Sequence, residues 1–121
     1  MPRAVLDESR IHPAVRERVA GHHRNAVTEA VAAITRHAVV VLGMAQNPFV
    51  KKARRALDAA GVTHHDIDHG SYFSEWRRRN ALKMWSGWPT FPMVFVKGTL
   101  VGGAAELQRL IASGELKTLL V

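Results

Sequence analysis

The chain has no cysteine among its 121 residues. That absence excludes disulfides, thiolate metal sites and any chemistry that needs a protein thiol. Long apolar runs are missing too. The longest, Ala38 to Ala45, falls far short of a membrane span. The N-terminal stretch MPRAVLDESR is charged and has no signal-like apolar core. A soluble, cytoplasmic protein is the expectation, with no membrane among its partners. Acidic residues are scarce: 10 Asp and Glu stand against 17 Lys and Arg, a formal net charge of +7, and the pI is about 10.8. Such a balance permits an acidic partner, either nucleic acid or an acidic protein, and equally a basic surface kept for solubility. Charge alone gives affinity without specificity. No repeat or low-complexity tract is present.

What remains is enough for one core. The length is that of a single domain, and 47% of the residues are hydrophobic, which is not a disordered composition. Residues 1–12 read as an arm, and Pro13 suits the first turn of a helix. Val15 and Val19, then Val27, Val31 and Ile34, recur at helical spacing and predict two helices, broken or kinked at Gly21-His22-His23. The second runs from about Asn25 to Arg36. His37 to Leu42 is a short β-branched apolar run and predicts a strand buried on both faces.

A helix follows, opened by Asn47-Pro48 and ended by Gly61. Phe49, Ala53, Ala56, Leu57 and Ala60 mark its apolar face, with Lys51, Lys52, Arg54 and Arg55 largely elsewhere. Val62 to His69 alternates as a strand does. Tyr72 to Trp85 predicts a helix packed through Phe73, Trp76, Leu82 and Trp85. Two apolar runs, Pro92 to Val96 and Leu100-Val101, flank Lys97-Gly98-Thr99 as a hairpin. Gly102-Gly103 then leads into a helix over 104–112, and a short last helix begins near Glu115. Strands alternating with helices, then a hairpin, predict an α/β domain with a small mixed sheet covered by helices on both faces.

The segment WPTFPMVFVKGTLVGG, residues 88–103, resembles the corresponding stretch of the glutaredoxins, above all their monothiol branch. The order of elements agrees. The resemblance spans roughly residues 25–121 and implies a thioredoxin-like fold with a mixed four-stranded sheet. Residues 1–24 are left as an N-terminal arm and helical extension. Carried over residue by residue, it also shows a loss. The family's Cys-Pro-Tyr/Phe-Cys or Cys-Gly-Phe-Ser motif stands here as Asn47-Pro48-Phe49-Val50, so the nucleophile has become Asn47.

The free N–H groups at such a helix tip still need an acceptor, and asparagine is among the best N-caps. Asn47 is therefore either only a cap or a side chain that also meets a ligand. Thr90-Phe91-Pro92 matches the family's Thr-x-Pro motif, which implies a cis Pro92. The backbone at Phe91 is implied to pair with glutathione in strand fashion. Gly102-Gly103 and the helix starting at Ala104 are implied to offer N–H groups to a carboxylate. Arg79 and Lys83 stand near the basic residues that accompany the glycyl end of glutathione.

Against this, Ala104 and Ala105 stand where the family usually has a small or polar residue and then an acidic one that holds the α-amino group, and Glu106 is displaced by one position. The lysine before the family's cysteine is also lacking. Thiol–disulfide exchange is not expected, and neither is an iron–sulfur cluster, for want of a thiolate ligand. No cofactor is required. The leading expectation is a non-redox binding module for glutathione or an extended peptide. One alternative is a glutathione-dependent enzyme using a non-cysteine donor such as Asn47 or Thr90. The other is an adaptor that binds nucleic acid or an acidic protein through its basic helices.

Two further groups have chemistry of their own. His64-His65-Asp66 with Asp68 and His69 has metal-ligand residue types. On a strand, however, His64, Asp66 and Asp68 face away from His65 and His69, so a polar outer strand is expected rather than a metal site. Arg77-Arg78-Arg79 fan around a helix and cannot converge on one ligand. A solvated face with one or two anion contacts is the expectation. Trp85, Trp88 and Phe91 form either core or a docking surface.

Overall fold

The apolar run after the first long helix forms the centre of the molecule. In a computed structural model, which describes residues 2–71 and 74–121, strand β1 (Val39–Gly43) is buried along its whole length. It pairs in parallel with β2 (His65–Asp68) and antiparallel with β3 (Met93–Val96), which pairs antiparallel with β4 (Thr99–Gly102). The sheet order is β2-β1-β3-β4. Val40 stands opposite His65 on one side and Phe95 on the other.

Alternation along β1 sends its side chains into two cores. Val40 and Leu42 join Ala30, Ala33, Leu82, Met93 and Phe95 beneath α2 (Arg24–Arg36) and α4 (Trp76–Ser86). Val39 and Val41 join Ala53, Leu57, Val94, Leu107 and Leu116 beneath α3 (Pro48–Ala59), α5 (Ala104–Ser113) and α6 (Glu115–Leu120). A strand with two buried faces needs an unbroken apolar run rather than an alternating one. The β3–β4 hairpin turns at Lys97 (φ 52) and Gly98 (φ 78), the paired positive φ of a tight hairpin turn. Among the described residues, no helix is long and apolar enough to cross a membrane.

Ahead of this unit lie one 3-10 turn, Glu8–Arg10, and α1 (Pro13–Gly21), neither with a buried residue. Between α1 and α2, His23 adopts a left-handed conformation (φ 43).

Several expected faces shift. On α2 the fully buried stripe is Ala26, Ala30 and Ala33; Val27 and Ile34 pack half-buried against the same core, whereas Val31 is 43% exposed, and Val15 and Val19 of α1 are also exposed. On α3 Val50 takes the core position given to Phe49, which is 58% exposed. β2 is shorter than Val62 to His69. Its alternation holds: Ile67 packs under α2, while Asp66 and Asp68 face Arg54 of α3. The helix expected from Tyr72 begins at Trp76. Tyr72 and Phe73 lie outside the described residues, and Trp76 is 55% exposed, its ring beside the Arg77 guanidinium.

Candidate binding site at the tip of α3

Gly43 ends β1 where α3 passes close. A Cβ there would stand 2.7 Å from Val50 Cγ1 and 2.9 Å from an Asp68 carboxylate oxygen. The turn then reaches Asn47 through Gln46 in a left-handed conformation (φ 63). Asn47 is extended (φ −92, ψ 116), and Pro48 is the first helical residue. Its Oδ1 accepts hydrogen bonds from Phe49 N–H (2.9 Å) and Val50 N–H (3.1 Å), two of the donors that a helix start leaves unpaired. The side chain is buried, and Nδ2 donates across to the carbonyl of Phe91 at 3.5 Å. One amide thus spans the helix tip and the loop before β3.

The Phe91–Pro92 peptide is cis. Phe91 is buried in the α2–α4 core, and Lys83 Nζ lies 5.9 Å from its ring centroid, within cation–π range. Trp85 and Trp88 pack half-buried on that core, and Trp85 also lines the groove between α1, α2 and α4. The start of α5 closes the site. A Cβ on Gly103 would lie 3.5 Å from the Pro92 carbonyl oxygen and 3.6 Å from Trp88 Nε1. That indole nitrogen is buried and has no hydrogen-bond partner among the described residues. Gly102 has φ 117, open to glycine and not to residues with a Cβ. Asn47, Phe91, Pro92, Gly103 and Lys83 are therefore brought together, with Ala104 buried behind them and Phe49 and Thr90 exposed at the rim.

Two expected ligand contacts are used internally. Arg79 is 7% exposed. Its Nη1 donates to the carbonyls of His69 (2.9 Å) and Ser74, so it braces the chain entering α4. Arg79, expected near the glycyl end of glutathione, thus has carbonyls between β2 and α4 as partners of its Nη1. At α5, Glu106 Oε1 accepts from Gly103 N–H at 2.9 Å, filling with the chain's own carboxylate part of the place expected for a ligand's. The signal for this was legible in Gly103-x-x-Glu106, the spacing by which an N3 glutamate reaches back to its cap residue.

The groups beside α3 hold the tip in place. Arg54 pairs with Asp66 (3.3 Å) and Asp68 (2.6 Å), tying α3 to the sheet edge. Burial opposes the Arg54 charge, but hydrogen bonds and charge from Asp68 and Asp66 outweigh it and raise its pKa. His64 Nδ1 meets Asp66 at 2.7 Å and Nε2 meets Asp58 at 2.8 Å; both ring nitrogens can donate only in the imidazolium form. Burial by itself would lower the His64 pKa, yet the two carboxylates hold it above its ordinary value. His69 behaves oppositely: burial pushes its pKa down, against the pull of Glu29, whose carboxylate is 3.8 Å away. Among the described residues no three His, Asp or Glu are arranged to hold a metal ion.

Comparison with known proteins bears on this geometry. A family profile described as Glutaredoxin matches residues 39–101. A glutaredoxin-like protein of Dictyostelium discoideum is 42% identical over 95 residues, covering 78% of this chain and 77% of that protein. The bifunctional monothiol glutaredoxin-S16 of Arabidopsis thaliana is 38% identical over 72 residues, 60% of this chain, but the match spans only 25% of its length. Among solved structures, buckwheat glutaredoxin in its glutathione complex superposes with a TM-score of 0.73 at 21% identity, covering 83% of this chain and 91% of that one. At that identity the likeness speaks for the fold.

Proposed function

This chain belongs to the glutaredoxin family, with its thioredoxin-like fold, and on that premise we propose that it is a binding module without redox chemistry, taking glutathione or an extended peptide against Phe91–Pro92 and the tip of α3. The Asn47 side chain carries this reading. Where the resemblance puts the family's nucleophile, a neutral amide satisfies the helix N–H groups and reaches toward the Phe91 carbonyl. The chain has no atom on which a mixed disulfide could form. An iron–sulfur cluster does not fit either, because no thiolate is available to ligate iron.

Glutathione fits in part. Strand-like pairing needs only backbone groups at Phe91, and no hydrogen bond among the described residues uses the Phe91 N–H. With Gly103 N–H taken by Glu106, the N–H groups of Ala104 and Ala105 are left for a carboxylate, and Lys83 supplies a nearby cation. Nothing polar on Ala104 or Ala105 can hold an α-amino group. An unpartnered buried group costs about 1–3 kcal/mol, or one to two orders of magnitude in affinity, so weak binding is expected. Glutathione is the first ligand to test because the buckwheat protein is seen in complex with it. Chemical-shift mapping with millimolar glutathione should move the amides of Asn47, Phe91, Ala104 and Ala105. Titration to saturation with no shift at those positions, with glutathione and with an extended peptide, would remove this reading.

A second reading has its own observation. Lys51, Lys52 and Arg55 are exposed on α3 and have no acidic partner within 4 Å among the described residues. An adaptor for nucleic acid or an acidic protein would use them, and its binding should weaken steeply with salt.

A further inference from the structure

Two apolar features of this chain face solvent near one another. One is a groove of about 420 Å³ between α1, α2 and α4, lined by Val19, Val27, Val31, Met84 and Trp85, with His22 and Arg24 on its wall. Val19, Val31 and Met84 are 44%, 43% and 58% exposed. The other is the N-terminal arm, where Val5 and Leu6 are 68% and 61% exposed and are followed by Asp7 and Glu8. The arm is rooted beside the groove: the Arg3 guanidinium donates to the Trp85 carbonyl at 3.5 Å and lies against Gly87. In the single chain its two apolar side chains still stand in water.

We propose that the groove receives the arm of a second copy of this chain. Val5 and Leu6 of one copy enter between Val31 and Met84 of the other, and Asp7 and Glu8 meet Arg24 and His22. Charge complementarity selects this occupant. The chain has 10 acidic residues to 17 basic ones, and two of the 10 are adjacent, directly behind the exposed apolar pair. The groove wall carries the Arg24 guanidinium. Because each copy offers both an arm and a groove, a two-fold arrangement makes the same contact twice and closes on itself.

Sedimentation velocity of the full chain over a range of concentrations tests this, with a species of twice 13.4 kDa expected at the upper end. Leu6→Asp and Val31→Asp change exposed side chains, so both variants should fold, and each should return the protein to monomer. Arg24→Glu should weaken the dimer roughly tenfold, as should Glu8→Lys, and combining them should restore it. The lack of cysteine allows a direct check of the contact. Leu6→Cys and Val31→Cys in separate chains, mixed under mild oxidation, should give a disulfide-linked heterodimer. A monomer at every concentration overturns the proposal. So does a dimer that survives Leu6→Asp, or a Leu6→Cys/Val31→Cys double variant that closes its disulfide within one chain.

Discussion

Asn47 holds two helix N–H groups with one oxygen, and removing it separates the roles of cap and ligand contact. Asn47→Ala should cost about 1 kcal/mol of stability in urea or thermal unfolding; loss of glutathione-induced shifts in the same variant would add a ligand contact to the cap. Asn47→Cys should give a thiol with a pKa below the ordinary value of about 8.5, read from thiolate absorbance, since the N–H groups and the positive end of the helix dipole remain in place. His64 and His69 predict pH effects of opposite sign. His64 has a raised folded pKa, so its contribution is fully present below about pH 6.5 and is lost as pH rises through the folded value. His69 has a lowered one: its contribution is present above about pH 6.5 and is lost as pH falls toward the folded value. Stability measured against pH for His64→Gln and His69→Gln, each subtracted from the parent, should show these opposed slopes. Asn47 was legible because Asn-Pro after an apolar run has one local meaning. Arg79 was not, because the carbonyls it serves, on His69 and Ser74, come within reach only once β2 and α4 are placed.

Helix faces were harder to read than helices. On α2, Val27-Val31-Ile34 and Ala26-Ala30-Ala33 have the same spacing, one residue apart. A hydrophobicity scale favours the first stripe, but the alanines are the fully buried residues, while Val27 and Ile34 pack half-buried beside them and Val31 faces solvent. Ala30→Leu should therefore cost about 1–3 kcal/mol by overpacking, while Val31→Thr should stay within about 0.5 kcal/mol; chemical denaturation of both distinguishes the stripes. The same one-residue ambiguity put Phe49 where Val50 belongs. β1 raised no such problem, because a strand buried on both faces has no face to choose. At α5, Glu106→Ala should lose several tenths of a kcal/mol of capping. It should also strengthen glutathione binding by freeing Gly103 N–H, an outcome calorimetric titration can check.

For the whole molecule, the order of elements followed from periodicity and turn residues, and the family resemblance implied a mixed four-stranded sheet. Neither could assign a role to the stretch before residue 25, in which no described residue ahead of α2 is buried. At concentrations where the chain is monomeric, deleting residues 2–23 should accordingly cost no more than about 1 kcal/mol in thermal unfolding, with the far-ultraviolet spectrum of the remaining domain retained. The position of β1 has a consequence of a different kind. Its amides and carbonyls are enclosed by β2 and β3 at the sides, and its side chains feed both cores. Neither helical layer can lift away without stripping one face of the strand on which the other rests. The Val40 and Val41 amides should thus swap their protons for deuterium only when the entire chain opens, at a rate that reports the global free energy of unfolding.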